Sequence, residues 1–194
     1  MKIIIVSGPP RAGKSIAAYG ALGLDNTPHY AIHETSDVIK EATQTALGLH
    51  YDPHMYDTCK DDPHEDFFGW TPRQAYITMV KGFYRQHELS LLGLVGARYV
   101  GRGHVRYVVV CGVGSLEEAM AYVDKFGADN VLHVAIERDG TSYEGDSREG
   151  FTLDNTLLID NNGTLAELFT AFAAIARTHF NEPERVAVGV PSEG

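Results

Sequence analysis

Short runs of aliphatic and β-branched residues alternate along this chain with stretches in which apolar residues recur every three or four positions. The short runs are typical of strands, and the three- to four-residue spacing is typical of helices. Their alternation from end to end predicts an α/β fold with a central parallel sheet. Five strands are predicted, at residues 3–6, 30–33, 107–111, 131–136 and 156–159. The first, third and fourth runs lack polar alternation, so helices should cover these strands on both faces.

Three helices are predicted from their start signals. A Ser or Thr cap followed three residues later by Glu or Gln forms a capping box, and proline favours the first helical position. The starts are Thr71 with Pro72 and Gln74, Ser115 with Glu118, and Thr164 with Glu167. The first helix should run toward Gln86, and the last pair should open the final helix.

The length of 194 residues predicts one domain, which we place at residues 1–180. Two segments rich in Gly, Asp, His or Arg, 48–69 and 138–150, are predicted to be irregular loops beside the active site. Residues 34–104 are assigned to acceptor binding and 138–150 to a lid. Residues 181–194 contain two prolines and no aromatic residue, and are predicted to form a mobile tail.

Residues 8–15 read GPPRAGKS and match the phosphate-binding loop pattern G-x-x-x-x-G-K-[ST]. The match lies directly after the first predicted strand and before a helical stretch, as the motif requires. In such a loop backbone N–H groups surround phosphate, Lys14 reaches the β/γ oxygens and Ser15 ligates Mg²⁺. ATP and Mg²⁺ are therefore the expected ligands. The predicted nucleotide-contacting set is Gly8, Arg11, Ala12, Gly13, Lys14, Ser15 and Ile16.

Charge and cysteine content limit the binding partners and the cellular compartment that can be expected. The 16 Lys and Arg residues against 26 Asp and Glu give a net charge of −10, which disfavours passive coating of nucleic acid. Two cysteines, Cys59 and Cys111, are too few for a disulfide scaffold and fit free thiols in a reducing cytoplasm. The first apolar run is shorter than a signal sequence or a membrane span. We expect a soluble cytoplasmic protein without a membrane partner, and association of two identical chains remains open.

Several further segments resemble, in chain order, the phage deoxynucleoside monophosphate kinases. They are SDVIKE at 36–41, KDDP at 60–63, TPRQ at 71–74, RDGTSYEGDSR at 138–148 and NNGTL at 161–165. The resemblance extends from residue 2 to about residue 176. It implies a P-loop kinase that acts in the host-cell cytoplasm and transfers a γ-phosphoryl group from ATP·Mg²⁺ to a deoxynucleoside monophosphate.

The cations that the resemblance selects suit phosphoryl transfer, because arginine forks stabilise charge on the transferring group. Arg73, near the start of its helix, is predicted to anchor the acceptor phosphate; an ordinary surface ion pair is the alternative. Arg138 and Arg148 are predicted to be catalytic residues of the lid. Their alternative is an ion pair within the loop, with Asp146 as partner.

The remaining candidates lie after the second strand and in the first loop. Asp37 and Glu34 stand where P-loop kinases that phosphorylate hydroxyl groups often place a base; the alternative for Asp37 is to cap a helix starting at Val38. Lys40 and Lys60 are assigned, with Glu34, Asp37 and Arg73, to acceptor binding. The aromatic residues Phe67, Phe68 and Trp70 are expected to belong to the core.

The chain departs from the family at the end of the third strand. Gly112 and Gly114 stand where an Asp and an Arg are expected, so space for a bulkier acceptor is predicted there. This keeps open a kinase that phosphorylates hydroxymethyluracil, a hydroxymethylated pyrimidine, in DNA. Such a kinase would need a basic strip, for which the candidates are Arg98, Arg102 and Arg106 with Lys81 and Arg85. A third alternative is a non-catalytic ATP-binding switch.

Overall fold

A computed structural model describes residues 1–23, 30–84, 91–146 and 148–180. The strands are β1 (Lys2–Ser7), β2 (Tyr30–Glu34), β3 (Tyr107–Cys111), β4 (Val131–Glu137) and β5 (Leu157–Asp160). The helices are α1 (Lys14–Gly23), α2 (Thr35–Ala46), α3 (Pro72–Met79), α4 (Leu91–Arg102), α5 (Leu116–Phe126) and α6 (Leu165–Phe180). No helix within these ranges has the length and apolar character needed to cross a bilayer. The predicted tail, 181–194, lies outside the described residues.

The five strands form one parallel sheet in the order β2-β3-β1-β4-β5. The predicted α/β fold with a five-stranded parallel sheet is confirmed. The three continuously apolar strands, β1, β3 and β4, occupy the interior of the sheet. Helices on both faces cover them, because a strand with two apolar faces must bury both.

Alternate side chains of β1 enter two different cores. Ile4 and Val6 pack with residues of α1 and α6, whereas Ile3 and Ile5 pack with residues of α4 and α5. All four side chains are fully buried. Because β1 is fixed from both faces, the loop that leaves its carboxyl end has a rigid base.

The helix starts follow the sequence signals, with two differences. Both capping-box bonds form between Thr71 and Gln74, and both form between Thr164 and Glu167. At α5 the Glu118 amide donates to the Ser115 hydroxyl, but the Glu118 carboxylate accepts from the Gly114 amide instead of closing the box. The helix predicted to run toward Gln86 changes type along its length, because its α-helical part ends at Met79. A π-helical stretch, Val80–Tyr84, follows, and Gln86 lies outside the described residues.

Candidate active site

The loop between β1 and α1, residues 8–13, is held by close backbone contacts at the carboxyl edge of the sheet. Gly8 has φ +144° and Gly13 has φ +100°, and both lie in the region that side chains disfavour. A Cβ at Gly8 would collide with the Ile136 carbonyl oxygen, and one at Gly13 would lie 2.6 Å from the Asn161 amide nitrogen. Asn161 in turn donates to the Ala12 carbonyl at 2.8 Å. The loop therefore has both the glycines and the support that a phosphate cradle needs.

Lys14 lies folded over this loop. Its Nζ donates to the carbonyl oxygens of Gly8 at 2.8 Å and Pro9 at 2.7 Å. Burial, reinforced by the nearby positive charge of Arg148, lowers the pKa of Lys14 to about 8. An ammonium group that is partly desolvated and close to the loop amides is positioned to neutralise phosphate charge.

A cavity of about 390 Å³ opens beside Lys14 and extends between α2 and α3. Its cationic lining consists of Arg11, Lys14, Lys40, Lys60, Arg73 and Arg148. Its apolar lining consists of Ile39, Tyr76, Ile77, Val80 and Leu92. Ile39 and Leu92 belong to a small core cluster between α2, α3 and α4, which makes this wall firm. The volume suits one small molecule.

Aspartates hold three of these cations. Arg73 donates from Nε and, at 3.3 Å, from Nη2 to the two carboxylate oxygens of Asp61. Lys40 donates to Asp57 at 3.1 Å and to the Pro53 carbonyl at 2.6 Å. The ion pair considered for Arg73 is thus present, and the hydrogen bond from Arg73 holds the pKa of Asp61 below its usual range.

Arg148 forms the third pair. It donates to the two carboxylate oxygens of Asp146 at 2.8 and 3.0 Å, as the loop alternative for this residue anticipated. Burial opposes ionisation of Asp146, but the bonds from Arg148 and its charge outweigh burial and keep the Asp146 pKa low. Arg148 and Asp146 both line the cavity, next to the P-loop.

Two predicted catalytic residues lie outside the lining. Arg138 follows β4 and is exposed. Asp37 is half-buried in the first turn of α2, and burial raises its pKa. The alternative that Asp37 caps a helix from Val38 is wrong, since α2 begins at Thr35 with Glu34 in the cap position. Glu34 lies at the end of β2 and does line the cavity, as do Lys40 and Lys60.

The space expected at Gly112 and Gly114 is filled at Gly114 and remains open at Gly112. A Cβ at Gly114 would lie 2.9 Å from Arg148 Cγ and 3.3 Å from Glu118 Oε2. One at Gly112 would lie 3.9 Å from Glu34 Oε2, and the backbone there has φ +84°. The prediction of room is therefore wrong at Gly114, but it is supported at Gly112, which lines the cavity and has no described atom closer than 3.9 Å to the position of a Cβ. Side chains from β2 and from the 138–150 segment reach this edge because their chain segments converge there, which no local pattern reveals.

Sequence reasoning missed a buried hydrogen-bond chain beneath the P-loop. His133, in the middle of β4, joins Ser7 at 2.7 Å and Thr156 at 2.8 Å through its two ring nitrogens, and stacks on Phe151. Burial lowers the pKa of His133 to about 4, so the ring is neutral. The Tyr143 hydroxyl is within hydrogen-bonding reach of Ser7. The chain thus ties the 138–150 segment to the base of the phosphate loop.

The candidate basic strip and the aromatic residues of the 48–69 loop also lie elsewhere than expected. Arg102 ends α4 and Arg106 precedes β3, so both lie toward the amino edge of the sheet, opposite the P-loop. Arg85 lies outside the described residues. Phe67 is buried as expected, but Phe68 is 81% exposed and Trp70 is 52% exposed, so their assignment to the core is wrong.

A divalent cation fits the P-loop end of the cavity. Ser15 lines it beside Lys14, with the hydroxyl that the motif offers to Mg²⁺. Within the described ranges, no group of three His, Cys, Asp or Glu side chains is arranged to hold a metal. Mg²⁺ would therefore enter with the nucleotide, since this ion is usually held by one or two protein oxygens together with substrate phosphates.

Comparison with known proteins gives remote similarity of fold. No family model and no curated protein matches the chain. An unliganded sugar kinase of Janibacter sp. HTCC2649 aligns over 93% of this chain and 95% of its own, with 15% identity and a TM-score of 0.43. A gluconokinase of Sinorhizobium meliloti 1021 aligns over 94% and 98%, with 13% identity and a TM-score of 0.40. Protein TT1252 of Thermus thermophilus aligns over 90% and 95%, with 15% identity and a TM-score of 0.43. Similarity this remote transfers no residue role or substrate.

Proposed function

We propose that this protein is an ATP-dependent phosphotransferase whose acceptor is a nucleoside monophosphate, with a deoxynucleoside monophosphate as the first candidate. The observation that carries the proposal is the division of the cavity into a cationic part and an apolar wall. Arg73 and Lys60 supply charge for a phosphate, and Ile39, Tyr76 and Val80 supply a surface for a base. A polyhydroxy acceptor would leave its hydroxyl groups unpaired against that wall.

Each group has a distinct part in the transfer. The P-loop amides, with Lys14 and Arg11, bind and orient the β- and γ-phosphates of ATP. Ser15 would hold the Mg²⁺ that enters with ATP, and the ion would neutralise charge on the transferring group. Arg73 orients the acceptor phosphate, whose ionised oxygen attacks without a protein base. Arg148, beside the P-loop, stabilises the charge that develops between donor and acceptor.

Transfer to a hydroxymethylated pyrimidine in DNA has less support. The room beside Gly114 that would favour it holds Arg148, and Arg102 and Arg106 lie toward the opposite edge of the sheet. A polyanion would also approach a chain with a net charge of −10. The ATP-binding switch lacks an acceptor altogether, which leaves the apolar wall of the cavity without a role.

The experiment is a transfer assay with γ-labelled ATP and Mg²⁺ over separate acceptors: the four deoxynucleoside monophosphates, nucleosides, gluconate and hydroxymethyluracil-containing duplex DNA. We expect label in at least one monophosphate, with a KM in the ordinary range of about 1 μM to 1 mM. Label only in DNA or only in gluconate contradicts the proposal. Slow ATP hydrolysis that no acceptor stimulates would favour the switch.

Ile77→Asn tests the apolar wall directly. Because it places an amide against the base, it should raise the KM for the monophosphate while leaving ATP affinity unchanged. Thr78→Asn, one residue further along α3 and outside the cavity lining, is the matched control. Equal effects of the two variants on the KM for the monophosphate would show that the apolar wall does not bind the base.

A further inference from the structure

One carboxylate in the cavity is not accounted for by binding an anionic acceptor. Glu34 ends β2 and lines the cavity together with Lys14, Ser15 and Gly112. Its Oε1 atom is buried and has no hydrogen-bond partner among the described residues. A buried carboxylate oxygen without a partner is costly and repels phosphate, so its position next to a phosphate-binding loop requires a positive group between them.

Lys14 is an insufficient partner for Glu34. Its ammonium is within electrostatic reach of the carboxylate, but its hydrogen bonds go to the carbonyls of Gly8 and Pro9. Arg148, another cation of the cavity lining, is bonded through two atoms to Asp146. Glu34 Oε1 therefore remains available for a cation that arrives with the substrate.

The backbone explains why the carboxylate comes from β2. Gly112 follows β3, the neighbour of β1, and has φ +84°, where a residue with a side chain is strained. Glu34 pairs with Cys111 across the β2–β3 ladder, and its Oε2 lies 3.9 Å from the position of a Cβ at Gly112. A longer acidic side chain on the adjacent strand thus reaches the space beside the glycine.

We infer that Glu34, together with the Ser15 hydroxyl, holds the hydrated Mg²⁺ of bound ATP. This inference rests on the proposed function, because the ion enters with ATP. Carboxylate and hydroxyl oxygens are the ligands that Mg²⁺ prefers, and the ion retains water molecules that an orphaned carboxylate oxygen can accept from. Glu34 is then a metal-positioning residue and not a base that removes a proton from the acceptor.

The test measures Mn²⁺, a paramagnetic substitute for Mg²⁺, bound to the complex of the full chain with a non-hydrolysable ATP analogue. Electron paramagnetic resonance gives the free Mn²⁺. Glu34→Gln keeps shape and removes charge, and it should weaken Mn²⁺ binding to the complex at least tenfold. Binding of the analogue without metal should stay equal or become tighter, since a negative charge is lost. Glu34→Asp keeps the charge, so its affinity for Mn²⁺ should lie between those of the wild type and Glu34→Gln.

Glu137→Gln is the control, because Glu137 ends β4 at the same edge of the sheet but is outside the cavity lining. It should leave Mn²⁺ affinity within twofold. An equally small effect of Glu34→Gln, with the analogue still bound, overturns the inference, and so does a loss of kcat in Glu34→Gln with unchanged Mn²⁺ affinity, which a base would give. Failure of the wild-type chain to bind the analogue would instead contradict the proposed function.

Discussion

The two halves of the candidate site are built differently. On the donor side, backbone atoms define the P-loop, which is fixed by Ile136, Asn161 and a doubly buried strand. On the acceptor side, long side chains from α2 and α3 are held by aspartates, as in the exposed pair Arg73–Asp61. Close packing sets position to within tenths of an ångström, whereas a solvated ion pair contributes little stability and is easily exchanged. The difference indicates a preformed donor site and an acceptor site whose cations can change partners when an anion binds.

The largest expected effect breaks the donor side. Lys14→Ala should lower kcat by about 10³-fold or more, because the ammonium compensates charge on the β/γ oxygens during transfer. The fold should survive, since the hydrogen bonds of Lys14 to described residues go to loop carbonyls and its removal leaves both cores intact. Transfer assays measure the loss of kcat, and thermal melting checks that the fold survives. More than a tenth of wild-type kcat, a loss below about 1.4 kcal/mol in the barrier, would contradict the catalytic role of the P-loop lysine.

The next effect separates the two sides. Arg73→Ala should lower kcat/KM for the acceptor about 10²-fold with ATP affinity nearly unchanged, because the guanidinium makes a charge-assisted contact with the acceptor phosphate. Arg73→Lys should restore little activity, since an ammonium lacks the planar fork. Steady-state kinetics with each substrate varied in turn measures both constants. Equal losses for ATP and acceptor would place Arg73 on the donor side or in the scaffold.

Asp61→Asn provides the matched control for that experiment. It frees the guanidinium of Arg73 without removing it, and we expect acceptor kcat/KM to remain within threefold or to rise. A loss as large as that of Arg73→Ala would show that the ion pair itself builds the acceptor site, and the proposed exchange of partners would be wrong.

Packing differs between the halves by an amount that stability measurements can detect. Gly20 lies in α1, and a Cβ there would collide with the ring of Phe169 in α6. Gly20→Ala should therefore lower the free energy of unfolding by about 1–3 kcal/mol through overpacking. Gly82, next to the acceptor side, has open space where a Cβ would stand, with no described atom within 4 Å, so Gly82→Ala should be neutral or slightly stabilising. Denaturant unfolding compares the two, and equal effects would contradict the described difference in packing.

The smallest expected effect concerns pH on the donor side. Because the pKa of Lys14 is lowered to about 8, the free protein loses this charge as pH rises through 8. Bound phosphate favours the charged form, so binding of ATP above pH 8 should take up a proton and weaken by up to about tenfold per pH unit. Titration calorimetry at pH 9 in buffers of different ionisation enthalpy measures the uptake. Lys14→Arg, which stays charged, should show none; uptake by this variant would assign the proton to another group.

What the sequence revealed follows from how local each feature is. Residues 8–15 form a complete short motif, so the P-loop was predictable. The continuous apolar runs of β1, β3 and β4 indicate burial on both faces, so the sheet interior was predictable as well. Helix α4 was not predictable, because its glycines weaken the helical pattern. Their role is in the packing of α4 against α5. A Cβ at Gly93 would collide with the backbone of Glu118, and one at Gly96 with the Tyr122 hydroxyl, so α4 and α5 need glycine to approach.

The same reasoning applies to the cavity. The cations Arg73, Lys60 and Lys40 were identified through their segments, but the partners of Arg73 and Lys40 were not, because Asp61 and Asp57 meet them only after the 48–69 loop folds against α2 and α3. Likewise, the space beside Gly114 is filled by Arg148 from a segment more than thirty positions away. Pairing across such separations depends on tertiary structure and leaves no periodic signal.

The exposed ring of Trp70 makes the acceptor side observable by spectroscopy. It is the single tryptophan of the chain, and it closely precedes the helix that carries Arg73. The backbone of Trp70 is anchored by bonds to His64 and Phe67, while its indole stays half in solvent. Intrinsic fluorescence excited at the indole band therefore reports, without any added label, on rearrangement of the 48–69 loop. Each candidate acceptor can be titrated into unmodified protein and ranked by the emission change it produces, independently of turnover.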